Sequence, residues 1–209
     1  MVGEAGEACV SVVDDDALVL KAIKRLLSSE GFRVRTFGSP QEFLSQPADD
    51  APGCVVVDLA MPGIDGLALQ RALASAGDER PVIFISGHAD IASGVDAMKA
   101  GAVDFLTKPF EAAVLLAAVR SAVERDRTGR LARNELSHAG RRLATLTRRE
   151  REVLHGVVAG KLNKQIALQL GTAEKTVKVH RAHMMQKMGV GSLADLVRLV
   201  DRSEREGRN

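Results

Sequence analysis

Residues 54–66 read Cys54-Val55-Val56-Val57-Asp58-Leu59-Ala60-Met61-Pro62-Gly63-Ile64-Asp65-Gly66, and this stretch decides the fold. Three consecutive valines leading to an aspartate and a Met-Pro-Gly turn predict a buried strand, because a continuous apolar run bounded by turn residues has no solvated face. Such a strand belongs to a parallel sheet, and in open α/β sheets ligands bind beyond the carboxyl ends of the strands. Asp58 stands at that end. Its carboxylate is expected to face a crevice, although a strand-capping aspartate is the plainer reading of the residue taken alone.

The chain around this stretch divides by charge. Residues 1–124 carry 10 Lys+Arg against 18 Asp+Glu, a net −8, whereas residues 125–209 carry 19 against 9, a net +10. With 209 residues there is room for two domains, an acidic one and a basic one suited to a polyanion. Cys9 and Cys54 are too few for a disulfide framework and lie in apolar contexts, so buried free thiols in a reducing compartment are expected. The first residues show neither a basic nor an apolar leader pattern, and the longest purely apolar stretch, Ala112 to Val119, is too short to span a bilayer. A cytoplasmic protein with no membrane partner is expected.

Along the acidic half, strands and helices alternate five times. Cys9–Val13 is an apolar run ending in Asp14, Asp15 and Asp16; Leu18, Ile23, Leu26 and Leu27 then predict a helix over 17–30, with Asp16 as its N-cap and Gly31 as its stop. Phe32–Phe37 alternates apolar residues with Arg33 and Arg35, which suits an edge strand solvated on one side. A short helix from about Gln41, the Asp58 strand, and a helix capped by Asp65 with Leu67, Leu69 and Leu73 inward come next. Strands over 81–86 and 103–106 and helices over 91–100 and 111–123 complete an α/β doubly wound parallel sheet. The strand ends then collect Asp14, Asp15, Asp58, Ser86 and Lys108 at one edge. Clustered carboxylates repel unless protonated or neutralised by a cation. Oxygen ligands with open positions suit Mg²⁺, while Lys108 and Ser86 suit phosphate oxygens. Singly, each residue has a duller reading as a turn, a solvated amine or, for Phe105, core; the conjunction carries the inference.

This constellation resembles the receiver domain of two-component response regulators over residues 8–124. The resemblance implies a flavodoxin-like sheet of order 2-1-3-4-5, with Asp58 as phosphoacceptor forming an acyl phosphate. It implies Asp15 ligating Mg²⁺ directly, Asp14 mainly through water, and the backbone carbonyl of Ala60 as a further ligand. Ser86 and Lys108 would contact the phosphoryl group, Phe105 would be the switch aromatic, and the Lys108–Pro109 bond would be cis. Ala60 departs from the Asn or Arg more usual there. With His88 it occupies positions where the family tunes dephosphorylation, which leaves the lifetime of the acyl phosphate open.

Residues 125–142 are Arg-rich, and Asp126 and Gly129 interrupt the seam begun by Leu115, Val119 and Ala122, so a linker, helical in part, is expected rather than a coiled coil. Residues 143–209 predict an all-α four-helix domain. Thr147-x-x-Glu150 is a capping box. Val153, Leu154, Val157 and Val158 form the first stripe, Ile166, Ala167 and Leu170 the second. Gly171 makes a tight turn and Thr172 caps a third helix, Glu174–Met188; Ser192 caps a fourth carrying Leu193, Leu196, Val197, Leu199 and Val200. That is helix-turn-helix spacing. On the third helix Val177, His180, Met184, Met185 and Met188 are expected inward, and Lys175, Lys178, Arg181, Ala182 and Lys187 outward, a cationic side suited to a major groove.

Leu146-Thr147-x-x-Glu150, Asn163-Lys164-Gln165-Ile166-Ala167 and Thr176-Val177-Lys178-Val179-His180 resemble the LuxR-type helix-turn-helix of NarL/FixJ response regulators, nearest in pattern to FixJ-like and styrene-catabolism regulators. The resemblance implies Lys178, Val179 and Ala182 at base edges. Arg181 would share the readout because Ala182 replaces an often longer, basic residue. Lys164, Thr176 and His183 would meet phosphates, and the fourth helix would be the homodimer contact on paired half-sites of double-stranded DNA. The expected function is a phosphorylation-dependent transcriptional regulator, an activator, phosphorylated on Asp58 by a sensor histidine kinase and working with RNA polymerase. No enzymatic activity beyond its own phosphoryl transfer and dephosphorylation is expected. Two rivals stand beside it. An Asp-nucleophile phosphohydrolase needs a second carboxylate where Ala60 stands, and a DNA-binding module with a non-phosphorylated scaffold receiver is indifferent to Asp58→Asn.

Overall fold

The computed structural model describes residues 8–47, 49–63, 65–87 and 91–206. They form two compact units that divide between Arg130 and Leu131. The first alternates β1 (Cys9–Val13), α1 (Ala17–Ser29), β2 (Arg33–Phe37), α2 (Pro40–Leu44), β3 (Gly53–Asp58), α3 (Gly66–Ser75), β4 (Val82–Ser86), α4 (Ile91–Lys99) and β5 (Asp104–Thr107), then enters α5 (Ala112–Ala144). All four strand pairings are parallel, in the order β2-β1-β3-β4-β5. The order reverses between β1 and β3, the point at which open α/β sheets bind ligands beyond the carboxyl ends of the strands.

The strand residues account for the layers. β1, β3 and β4 are buried throughout, and their alternate side chains feed two cores. Val10, Val12, Cys54, Val56, Ile83 and Ile85 meet Ile23 and Leu27 of α1 and Leu115 and Val119 of α5. Val13, Val55, Val57, Val82 and Phe84 meet Phe43, Leu69, Leu73 and Ala97 on the other side. β2 is the solvated edge, with Arg33 exposed. Cys9 and Cys54 are free and buried, and burial pushes the Cys54 thiol up to about 12, which removes its thiolate reactivity.

Two expectations change here. Leu18, assigned to the apolar stripe of α1, is 78% exposed; it lies about half a turn around the helix from buried Leu27. Asp16 does cap α1, accepting from the Leu18 N–H at 2.8 Å. The connector, expected to be helical in part, is helical throughout, because α5 runs unbroken through it over 33 residues. Asp126, read as an interruption, is buried. Its carboxylate accepts from the Gly53 N–H at 2.9 Å and from Arg130 Nε at 2.7 Å, while Arg130 also reaches the carbonyls of Asp49 and Asp50. Oδ2 of this inward carboxylate thus links α5 to the start of β3, and the helix continues.

The second unit takes the end of α5, then α6 (Arg148–Val158), α7 (Asn163–Leu170), α8 (Glu174–Met188) and α9 (Leu193–Glu206). They close on Leu146, Val153, Leu154, Val157, Ile166, Val177, Met184, Met188 and Leu196. Thr147 and Glu150 form the reciprocal capping box of α6, and Ser192 caps α9 by accepting from the Asp195 N–H. Gly171 takes a left-handed φ of 62° at the turn. Thr172 does not cap α8: the cap position is Ala173, without a side-chain bond, and the Thr172 N–H closes the turn onto the Ala167 carbonyl at 3.0 Å. Among the described residues no helix is long and apolar enough to cross a membrane.

Candidate phosphoacceptor site and nucleic-acid interface

β1 and β3 flank the switch point, and their ends set Asp14 and Asp58 side by side, 1% and 5% exposed. Lys108, in the loop after β5, donates its ammonium to Asp14 Oδ2 and to Asp58 Oδ1, each at 2.6 Å. Those two carboxylate oxygens are therefore no more than twice that distance apart. The remaining oxygens are held by backbone. Asp14 Oδ1 accepts from the Asp16 N–H and Asp58 Oδ2 from the Ala60 N–H, both at 2.8 Å. Lys108 is itself positioned by its N–H donating to the Ser86 carbonyl at 2.7 Å, and the Lys108–Pro109 bond is cis. Ser86 ends β4, almost fully buried. Phe105 lies half-buried on β5, and a Cβ added at Gly94 of α4 would meet its ring at 3.6 Å.

Burial pushes the Asp14 carboxyl above its ordinary range; Lys108 and the Asp16 N–H oppose the shift, and the neighbouring Asp58 charge adds to it. Burial lowers the Lys108 ammonium, but its bonds to Asp14 and Asp58 outweigh that and hold its pKa above the usual value. One cation therefore faces two buried carboxylates, with Asp15 exposed beside them. The excess negative charge calls for a further cation. Among the described residues no three His, Cys, Asp or Glu side chains converge tightly enough to cage a metal. Of the three expected carboxylates, Asp14 and Asp58 are brought together on Lys108 and Asp15 is exposed. That donor set still fits Mg²⁺, which keeps several waters and takes one or two carboxylates in preference to an all-protein cage. His88 lies outside the described residues.

On the second unit, Val177, Met184 and Met188 are buried, and the other side of α8 presents Lys175, Thr176, Lys178, Val179, Ala182 and His183 to solvent, with Lys164 of α7 also exposed. Three expected placements differ. Arg181 is half-buried and donates to Asn163 Oδ1 of α7 at 3.1 Å. His180 and Met185 are half-buried, on the flanks of the inward stripe. Lys187 is exposed, as expected, and its ammonium is paired, 2.7 Å from Glu150 Oε2. The Lys187 ammonium and the Thr147 N–H pull the Glu150 carboxyl down to about 2. Arg142 donates to the Met188 carbonyl at 2.9 Å. The C-terminal half of α8 is thus docked on its neighbours, and its N-terminal half carries the outward cations. Sequence reasoning missed Asp126, which no local pattern links to Gly53, and Glu174, whose pairing with Lys178 at 3.1 Å was available from i,i+4 spacing.

Each of the two units matches a known protein family. The response regulator receiver domain matches residues 10–120, and the luxR family of bacterial regulatory proteins matches residues 144–200. Response regulator protein TmoT of Ectopseudomonas mendocina is 45% identical over 196 residues, covering 94% of this chain and 89% of that protein. Transcriptional regulatory protein FixJ of Azorhizobium caulinodans is 43% identical over 191 residues, covering 91% of this chain and 90% of that one. The solved structure of response regulator StyR matches with a TM-score of 0.85 and 44% identity, over 94% of this chain and 99% of StyR. A receiver domain joined to a LuxR-type helix-turn-helix DNA-binding domain makes this chain a member of the NarL/FixJ family of two-component response regulators, and so a transcription regulator.

Proposed function

We propose that the chain is phosphorylated on Asp58 by a sensor histidine kinase and that the acyl phosphate switches its DNA binding, activating transcription. The observation that carries this reading is the Lys108 ammonium, 2.6 Å from both buried carboxylates at the sheet's switch point. Asp58 Oδ1 attacks the phosphorus of a phosphohistidine; the O–P bond forms as the P–N bond breaks, and the histidine nitrogen leaves with the electron pair. Lys108, already held above its ordinary pKa, remains protonated and donates to the arriving phosphoryl oxygens. The Ser86 hydroxyl, on the neighbouring strand end, supplies a second donor. Asp14, Asp15, Asp58 and the Ala60 carbonyl are the groups that would hold Mg²⁺, which when bound neutralises carboxylate and phosphoryl charge.

The switch acts through Phe105 and the α4–β5–α5 face, where Val95 and Met98 are exposed at 44% and 48%. A change of packing there favours a homodimer with α9 as the DNA-domain contact, which aligns two α8 helices with paired half-sites. RNA polymerase is the further partner on the promoter, and the chain turns over no substrate beyond its own phosphoryl group. The test incubates the full chain with acetyl phosphate and Mg²⁺, then measures mass, label position and promoter binding. One acid-labile phosphoryl group on Asp58 and tighter binding are expected, both lost in Asp58→Asn. DNA affinity indifferent to the label would support the scaffold receiver, and steady hydrolysis of phosphomonoesters the hydrolase.

A further inference from the structure

We propose that Glu174 determines sequence specificity at the DNA interface by accepting a hydrogen bond from the N4 amino group of a cytosine while Lys178 donates to a neighbouring guanine. This inference rests on the DNA-binding reading of α8. Glu174 lies in the first turn of α8, and its carboxylate is 3.1 Å from the Lys178 ammonium, with the two side chains 46% and 64% exposed. An exposed i,i+4 pair of this kind is weak, so both groups can turn to other partners. Arg181, the other cation towards that edge, is bonded to Asn163 and half-buried. The edge therefore offers DNA a donor and an acceptor one helical turn apart. Four residues rise about 6 Å along a helix, so the two side chains address base pairs within about two steps of one another.

A carboxylate beside a polyanion weakens binding wherever it meets phosphate. In the major groove it gains a partner where a base offers an exocyclic amino group, and cytosine N4 is the usual partner of a glutamate. Glu174 thus penalises most sequences and rewards one. The duller alternative is an acidic residue that complements the positive end of the helix dipole, which affects folding and leaves base preference untouched.

Selection from a randomised duplex library, with the full chain pre-incubated with acetyl phosphate and Mg²⁺, separates the two. The wild type is expected to select a fixed C·G pair close to the G·C pair that Lys178→Ala loses. Glu174→Ala should lower the cytosine preference about tenfold or more, tighten non-specific binding, and steepen the salt dependence by up to about one ion. Glu174→Gln should move the preference at that position to adenine, because a carboxamide pairs with adenine N6 and N7; helix-end electrostatics would not produce that change. An unaltered motif in both variants overturns the proposal while leaving DNA reading intact. A wild type that selects no sequence at all overturns both.

Discussion

Replacing Glu150 with Gln isolates the charge that docks α8 onto α6. The carboxylate is 4% exposed, accepts from the Thr147 N–H at 2.8 Å and from Lys187 at 2.7 Å, and titrates at about 2 in place of 4.5. Glutamine keeps the shape and an oxygen for the Thr147 N–H, so the variant loses the ion pair alone. At about 1.4 kcal/mol per pKa unit the ceiling on that loss is about 3.5 kcal/mol. The Lys187 side chain is 37% exposed, so solvent screening reduces the expectation to about 1–2 kcal/mol. In a domain of this size each 1 kcal/mol shifts the melting temperature by about 4–8 °C. The folded carboxyl titrates below its unfolded value, so its stabilisation is present above the ordinary glutamate pKa and disappears as pH falls towards 2. Urea unfolding of the full chain across a pH series, with hydrogen exchange of α6 and α8 peptides to localise the loss, makes the comparison. Equal stability near neutral pH, or a deficit that persists at pH near 2, would refute the reasoning.

Three further outcomes follow from the geometry. Lys108→Met strands two buried carboxylates and should destabilise the first unit by about 3 kcal/mol near neutral pH. It should also push the Asp14 carboxyl further up, so the deficit in urea midpoint shrinks in acid as Asp14 protonates. Gly66→Ala would place a Cβ 2.6 Å from the Asp58 carbonyl and 2.9 Å from Phe84 Cε1. A loss of about 1–3 kcal/mol and slower labelling of Asp58 are expected, and a labelling rate equal to wild type counts against the packing argument. Asp126→Ala leaves the Gly53 N–H without its acceptor and should cost about 1–3 kcal/mol, seen as faster amide exchange at Gly53 and along α5 beyond Val123.

Those perturbations fall on residues of differing legibility. The fold was open to reading where one property fixes one neighbour. Val55, Val56 and Val57 are buried whichever helices cover them, so a run of apolar residues suffices to mark a strand. Asp16, Asp65, Thr147 and Ser192 cap helices because their partners lie two or three residues away. Leu18 and Thr172 failed for a related reason. Apolarity does not say which way the first turn of α1 faces, and a threonine one residue before the cap position cannot reach the orphan amides of α8. The strand-end residues Asp14, Asp58, Ser86 and Lys108 were legible because parallel topology delivers every strand's carboxyl end to the same edge.

Charged residues whose partners lie far away in the chain were the opaque class, and they include the residues that organise both units. Asp126 read as an interruption of the apolar seam because an isolated carboxylate there is unfavourable; paired with a backbone amide 73 residues distant and with Arg130, it is instead a buried part of that side of the helix. Arg181 read as an outward cation on its helix alone, whereas Asn163 draws it into the α7–α8 contact. Lys187 likewise looked available for DNA until Glu150 was seen to hold it. The net +10 of the basic half therefore overstates the charge offered to DNA. On α7 and α8, Lys164, Lys175 and Lys178 are exposed, Lys178 beside the acid that partners it, and these are the groups proposed to meet the groove. Composition can announce that a polyanion is the partner, but which bases are read depends on how those few side chains are shared between the fold and the duplex.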